Sequence, residues 1–435
     1  MRLLVTNTRY SQAYYIIRAL RPYADRVVAT VEPSRVGPLR SHAAFSRLVD
    51  ARYRVPDPEA DWRRGLVQAD NTAAESAFID RILEICRQES IDVVFPSADP
   101  WVYVLSKNKA RFEALGITLP VPDFGALQIP LDKYRTVRAA QTSNFPTPKT
   151  VLGCSDDATA AFAEQVPAPW VIKPRCTMGS QGMKIVSRPS DLLRETRDTR
   201  SERGAPLIQE YIPGREKRNF YLMADRDSEV ISVLSPRVLR YSRRFFSGMS
   251  AACESAVPEQ LEAELRALVR HLGLWGGMAV QTKIDVRDGL PKLMEINPRL
   301  GRALWYRTAL GLNEPLISIQ LARGEAPISV PSVPQGCLLL QPIEDAFGLL
   351  FESLDSAAYR FRVGVLGGTP LDPDNPPTGL VKLLKDYRRQ YFGGQDRRFS
   401  PYARYALSDP VPALGWCYII GRWYLDAALK GELGR

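Results

Sequence analysis

Apolar and polar positions along the chain follow two different rhythms. Near the start, short apolar runs alternate with stretches of helical spacing. LLVTN and RVVATV (26–31) read as strands, and SQAYYIIRAL places its apolar residues at helical intervals. SAFIDRILEICRQES (76–90) is an amphipathic helix leading into the apolar run IDVVFPS. Strand and helix repeated in this way predict a small parallel α/β domain over residues 1–125. The proline-rich TLPVPDFGAL marks its end.

The rhythm then changes. LDKYRTVRAAQTSN is a helix with an aspartate near its start, followed by the extended FPTPKTV. PWVIKPR and MKIV are apolar runs flanking a glycine-containing loop; a charged helix (189–203) and the strand LIQE follow. NFYLMADRDSEVISVLS reads as two strands joined by a polar turn, and PEQLEAELRALVRHLGL as a strong amphipathic helix. GMAVQTKIDVRDGLPKLMEINPR is a hairpin around Arg-Asp-Gly. Helices mixed with antiparallel strands predict an α+β region, divided at 126–205 and 206–325. A C-terminal extension, 326–435, completes the chain. There 364–379 reads as a loop. In the tail Trp416, Ile419, Ile420, Trp423, Tyr424 and Ala427 share one helical face. That face fits a helix docked on its own domain; beside Arg422 and Lys430 it also fits a protein partner or a membrane surface.

Composition narrows the class. The chain has 435 residues, 45% hydrophobic and 24% charged, as in soluble multidomain proteins. The opening apolar run is too short for a signal peptide, and none approaches the length of a membrane span, which predicts a cytoplasmic location. Six scattered cysteines without CxxC spacing argue against a zinc site or a disulfide framework. With only His42 and His271 as histidines, a bound metal should be a hard ion held by oxygen. The net charge is +10, but no basic stripe interleaved with aromatics points to nucleic acid. The cations fit solvated faces and an anionic-ligand site.

Candidate chemistry lies in two segments. In LMEINPR, Glu295 and Asn297 share a strand face, and Gln281 on the neighbouring strand can point the same way. Converging oxygen donors suit magnesium on nucleotide phosphates. Arg299, two residues on, suits a transferring phosphoryl group. VIKPRCTMGSQGMKIV places Lys173 at the end of a strand before a loop. The backbone N–H groups of that loop, at Met178, Gly179, Ser180, Gln181 and Gly182, are suited to closing over phosphates. Without Lys173 this would be an ordinary hairpin turn. QEYIPGRE adds an extended segment, Glu210-Tyr211-Ile212, able to read adenine through its backbone, and Glu216, able to accept from ribose hydroxyls.

The ordered strings DKYRTVRAA, VIKPRCTMGSQGMKIV, QEYIPGRE and VQ…LMEINPR resemble the ATP-grasp superfamily, in particular its carbamoyl-phosphate synthase large-subunit-like branch. The resemblance covers residues 1–325. It implies a Rossmann-like pre-ATP-grasp α/β domain followed by the ATP-grasp fold, a nucleotide clamped between two α+β subdomains. The implied cofactors are ATP and Mg²⁺, with Mn²⁺ as a substitute. Carried over by position, Lys133 and Lys173 contact phosphates; Glu210, Tyr211 and Ile212 hold adenine; Glu216 binds ribose. Gln281, Glu295 and Asn297 bind the metal, and Arg299 meets the transferred phosphate. Many members carry Glu at the position of Gln281, and a neutral ligand there weakens one metal contact without removing the site.

Such enzymes activate a carboxylate as an acyl phosphate and let a nucleophile displace phosphate. The implied partners are therefore ATP, a small carboxylate and an amine (or thiol) acceptor, in a family that often forms homodimers. The segment 235–255 offers Arg237, Arg240, Ser247 and Gly248 as substrate contacts; the bland reading is a solvated basic turn. Trp305, Tyr306 and Arg307 suit either an acceptor pocket or the core. Two other functions share these motifs: activation of bicarbonate in a carboxylating enzyme, and a non-catalytic ATP-binding scaffold.

Overall fold

The computed structural model describes residues 1–33, 38–58, 70–177, 181–214, 216–241, 250–328, 330–365, 367 and 379–429. Its first unit contains β1 (Arg2–Thr6), α1 (Ser11–Leu20), β2 (Arg26–Val31), β3 (Ala51–Arg54), α2 (Ala73–Glu89), β4 (Val93–Pro96) and α3 (Asp99–Lys107). The strands form a parallel sheet in the order β3-β2-β1-β4. Strands buried on both faces explain the continuous apolar runs. Helix α2 begins at Ala73, before the expected 76, because Thr72 and Glu75 form a capping box.

Next come α4 (Lys109–Glu113), α5 (Phe124–Leu131) and α6 (Lys133–Thr142). A small lobe follows, built from β5 (Thr150–Leu152), α7 (Asp156–Gln165), β6 (Trp170–Lys173), β7 (Lys184–Val186), α8 (Pro189–Arg203) and β8 (Leu207–Glu210). Its antiparallel sheet runs β5-β8-β6-β7. The large lobe has β9 (Phe220–Ala224), β10 (Val230–Leu234), α9 (Glu262–Leu272), β13 (Gly276–Ile284) and β14 (Pro291–Asn297). Its sheet runs β10-β9-β13-β14.

Three expected boundaries move. The small lobe keeps its sheet through Glu210, past the expected limit at 205, because β8 pairs with both β5 and β6. Helices α5 and α6 instead join the large lobe: Leu127, Ala140 and Phe145 share a core with Leu293 and Ile296 of β14. The segments β11 (Arg237–Tyr241) and β12 (Ser250–Glu254) leave the large-lobe sheet altogether. They form a separate sheet, β11-β12-β15-β16, with β15 (Leu338–Leu340) and β16 (Arg397–Phe399) of the C-terminal extension.

The last helix, Pro410–Leu429, docks on its own extension, where Trp416 Nε1 donates to Glu344 Oε1 at 2.8 Å, and also on the N-terminal domain. Trp416 is 2% exposed, stacks on Tyr402 and lies beside His42. Just before the helix, Asp409 accepts from the Tyr14 hydroxyl (3.2 Å), the Ser46 hydroxyl (2.5 Å) and the Arg47 backbone (3.0 Å). Part of the expected aromatic face is thus internal; the side chains of Trp423, Tyr424 and Ala427, and Lys430, lie outside the described residues. Among the described residues no helix is long and apolar enough to cross a membrane.

Candidate active site

The hairpin β13–β14 sets the floor. Gln281 and Glu295 are directly paired, as are Ala279 and Asn297, with a bulge between Gln281 and Thr282. Asn297 Nδ2 donates to Glu295 Oε1 at 3.3 Å, and Arg299 Nη2 donates to Asn297 Oδ1 at 3.0 Å. The structure therefore brings Gln281, Glu295, Asn297 and Arg299 together. Their order leads from the metal-type donors to a fixed cation.

Lysines surround this floor. Lys173, at the end of β6, is half-buried; burial draws its ammonium down to about 8, Lys133 and Lys283 press the same way, and Glu295 opposes them. Lys217 is drawn down to about 8 by burial and by Lys283, again against Glu295. One carboxylate is thus the shared counter-charge of several cations, an arrangement that calls for an anionic ligand. Lys217 and Lys283 belong to no motif recognised in the sequence. Residues 216–219 run beside β13: Ile284 N–H donates to Glu216 O (2.9 Å) and Thr282 N–H to Asn219 Oδ1 (3.2 Å). Lys283 rests 4.6 Å from the Tyr211 ring centroid and Lys217 5.6 Å from that of Tyr241. The one available sequence signal was a basic residue two positions beyond Gln281.

Lys133 opens α6 behind its cap, Asp132, which accepts from the Tyr134 and Arg135 backbones. Arg175 pairs with Asp132, and the Lys133 ammonium donates to the Thr177 carbonyl. This ion pair and this hydrogen bond pin the segment after β6 against the start of α6. Past that segment, the Thr177 hydroxyl donates to Gln181 O at 3.2 Å. Gly182 has φ +72°, and a Cβ there would lie 2.9 Å from Pro174 Cγ, so only glycine fits the turn. Gln181 and Gly182 are exposed; Met178, Gly179 and Ser180 lie outside the described residues.

At the hinge, the Glu210 carboxylate accepts from Lys149 N–H (2.8 Å) and from Arg287 Nη2 (3.2 Å). The Tyr211 N–H donates to Pro169 O at 3.2 Å, and Ile212 is buried. Glu210 therefore holds the hinge together through its side chain. Glu216 is exposed and pairs with Arg218 at 2.8 Å.

The expected carboxylate-binding arginines lie elsewhere. Arg240 makes a two-pronged ion pair with Asp345, both bonds at 2.6 Å, and bonds Gln390; Arg237 pairs with Glu254. These fix β11 to its own sheet and to the extension, and do not join the lysine-lined floor. Ser247 and Gly248 lie outside the described residues. Trp305, Tyr306 and Arg307 are core residues, each 1–2% exposed, with Arg307 paired to Glu314 at 3.0 Å.

Gln281, Glu295 and Asn297 offer hard oxygens, and among the described residues no group of three or more His, Cys, Asp or Glu converges. A single carboxylate suits a divalent ion that brings further oxygens from a phosphate chain. Cys176, beside the loop, is no thiolate: burial pushes its thiol up to about 11.

Residues 131–302 match the family model described as an ATP-grasp domain, and residues 68–120 the PylC-like N-terminal domain. A D-alanine–D-alanine ligase of Acidovorax ebreus is 26% identical over 202 residues, covering 44% of this chain and 61% of the relative. The carbamoyl phosphate synthase large chain of Thermomicrobium roseum is 24% identical over 199 residues, 44% of this chain and 18% of that one. This chain therefore spans 61% or less of the length of these relatives. Two solved structures share the fold: a biotin carboxylase–β,γ-ATP complex from Campylobacter jejuni (TM-score 0.60, 14% identity, 78% of this chain and 74% of that chain) and an L-amino acid ligase from Bacillus licheniformis (TM-score 0.54, 17% identity, 77% and 78%).

Proposed function

From a chain that carries an ATP-grasp domain across residues 131–302, we propose an ATP-dependent, ADP-forming ligase that joins a carboxylate to an amine. The observation that carries this reading is the lysine cluster around Glu295, continued through Asn297 to Arg299. Lys133, Lys173, Lys217 and Lys283 hold the phosphates, and the turn containing Gln181 and Gly182 covers them. The hinge at Glu210, Tyr211 and Ile212 takes the base, and Glu216 the ribose. Gln281, Glu295 and Asn297 would hold Mg²⁺, which would supply charge neutralisation for a bound phosphate chain. Relatives named D-alanine–D-alanine ligase and L-amino acid ligase support a carboxylate–amine reaction.

The chemistry needs positioned charge rather than a protein nucleophile. A carboxylate oxygen attacks the γ-phosphorus, the bond to the β–γ bridging oxygen breaks, and ADP leaves with that electron pair. The amine nitrogen then attacks the acyl carbon, loses a proton and expels inorganic phosphate. Arg299 meets the charge that develops on the transferred group.

The test is Mg²⁺-dependent ADP release with pools of carboxylates, amines and bicarbonate. ADP release requiring one acid plus one amine is expected, lower by about two orders of magnitude or more in Glu295→Ala. Release with bicarbonate alone would replace this reading with a carboxylating one; release of AMP would end the acyl-phosphate route.

A further inference from the structure

Arg299 is tied not only to Asn297 but also to the N-terminal domain. Its Nη2 lies 2.8 Å from Asp99 Oδ2, and the two side chains are 15% and 8% exposed. Asp99 opens α3 immediately beyond β4, at the carboxyl edge of the parallel sheet, where the helix N-terminus favours its negative charge. Open α/β sheets bind ligands along that edge.

The pair is incomplete in a specific way. Asp99 Oδ1 and Arg299 Nε are both buried, and neither has a hydrogen-bond partner. Buried ionic groups ordinarily satisfy such atoms, because leaving one bare is costly. Asp99 Oδ1 lacks a donor and Arg299 Nε lacks an acceptor. A single small molecule supplies both when it carries an ammonium beside a carboxylate, which is the zwitterion of an α-amino acid.

We propose that Asp99 and Arg299 form the template for an amino-acid substrate. Its ammonium donates to Asp99 Oδ1 and its carboxylate accepts from Arg299 Nε. This rests on the ligase reading above and assigns the acid to be phosphorylated to the amino acids. Arg299, which holds that carboxylate, bonds Asn297, itself one of the metal-type donors, as transfer from ATP to the carboxylate demands. An acid lacking the α-ammonium leaves Oδ1 bare; an amide offers Arg299 a weaker, uncharged acceptor.

The experiment is calorimetric titration of the full chain, loaded with Mg²⁺ and the non-hydrolysable analogue AMPPNP, with L- and D-α-amino acids one at a time. The desamino and carboxamide analogues of the tightest binder follow, and the series is repeated with Asp99→Asn. Binding of an amino acid is expected, with both analogues at least about tenfold weaker. Asp99→Asn should weaken the amino acid by about tenfold to a hundredfold while AMPPNP affinity changes by less than about twofold. Three outcomes overturn the proposal: no amino acid binds, the desamino acid binds equally well, or the variant loses nucleotide affinity to the same extent. Amino-acid binding without ADP release in the turnover assay would count against the ligase reading and leave the subsite standing.

Discussion

Lys173 and Lys217 titrate near the working range, each drawn down to about 8, with burial the largest cause. An ammonium must be charged to hold a phosphate, so ATP affinity should weaken as pH rises through 8. The sign is fixed by linkage: bound phosphate favours the protonated form, which raises both values and takes up protons on binding. At pH 8 each lysine of the free protein is half-protonated, so MgATP should bind with uptake of about one proton in total. At pH 6.5 the lysines are already charged and contribute no uptake. Titration calorimetry in buffers of different ionisation enthalpy measures this directly, and Lys217→Met should remove about half of the uptake. Unchanged uptake in that variant would place Lys217 outside the phosphate site.

The β13–β14 hairpin fixes the chain beyond β14 through a contact at Gly277, on the same strand face as Ala279 and Gln281. Gly277 in β13 leaves room for Leu300, whose methyl occupies the place a Cβ would take. Leu300 follows Arg299 directly, so this packing sets the chain's turn out of β14. Gly277→Ala should cost about 1–3 kcal/mol through overpacking, read as a lower urea midpoint. Turnover should fall more than ATP affinity, since Arg299 shifts while the lysines stay. This hairpin was legible in the sequence because period-two alternation and a turn are local signals: Gln281 and Glu295 pair in the register their spacing suggests. Lys173 and Lys133 were legible through motifs. Lys217 was not, since its place beside Lys283 depends on a segment running along β13. Arg240 misled for the same reason. Its partner Asp345 lies 105 residues away, and no local pattern announces a pairing at that distance. The lobe boundary at Glu210 escaped because β8 returns to pair between β5 and β6, a choice made by the sheet rather than by β8 itself.

Across the whole molecule, burial is shared unevenly. The N-terminal domain, the large lobe and the C-terminal extension are knitted into common cores, in which Leu3 and Tyr14 meet Trp305, Leu339 and Trp416. The small lobe keeps a separate core of six buried residues, Phe162, Val166, Trp170, Ile172, Leu192 and Ile208. Its ties to the remainder include the Arg175–Asp132 and Glu210–Arg287 ion pairs. A unit with so little shared burial opens at lower free energy than its surroundings. That unit also carries Lys173 and the turn at Gln181 and Gly182, proposed above to cover the phosphates. On warming, ADP release should therefore fade several degrees before tryptophan fluorescence and calorimetry register bulk unfolding, and MgAMPPNP should narrow the gap by bridging the lobes. Heat would disarm this protein before it dismantles it.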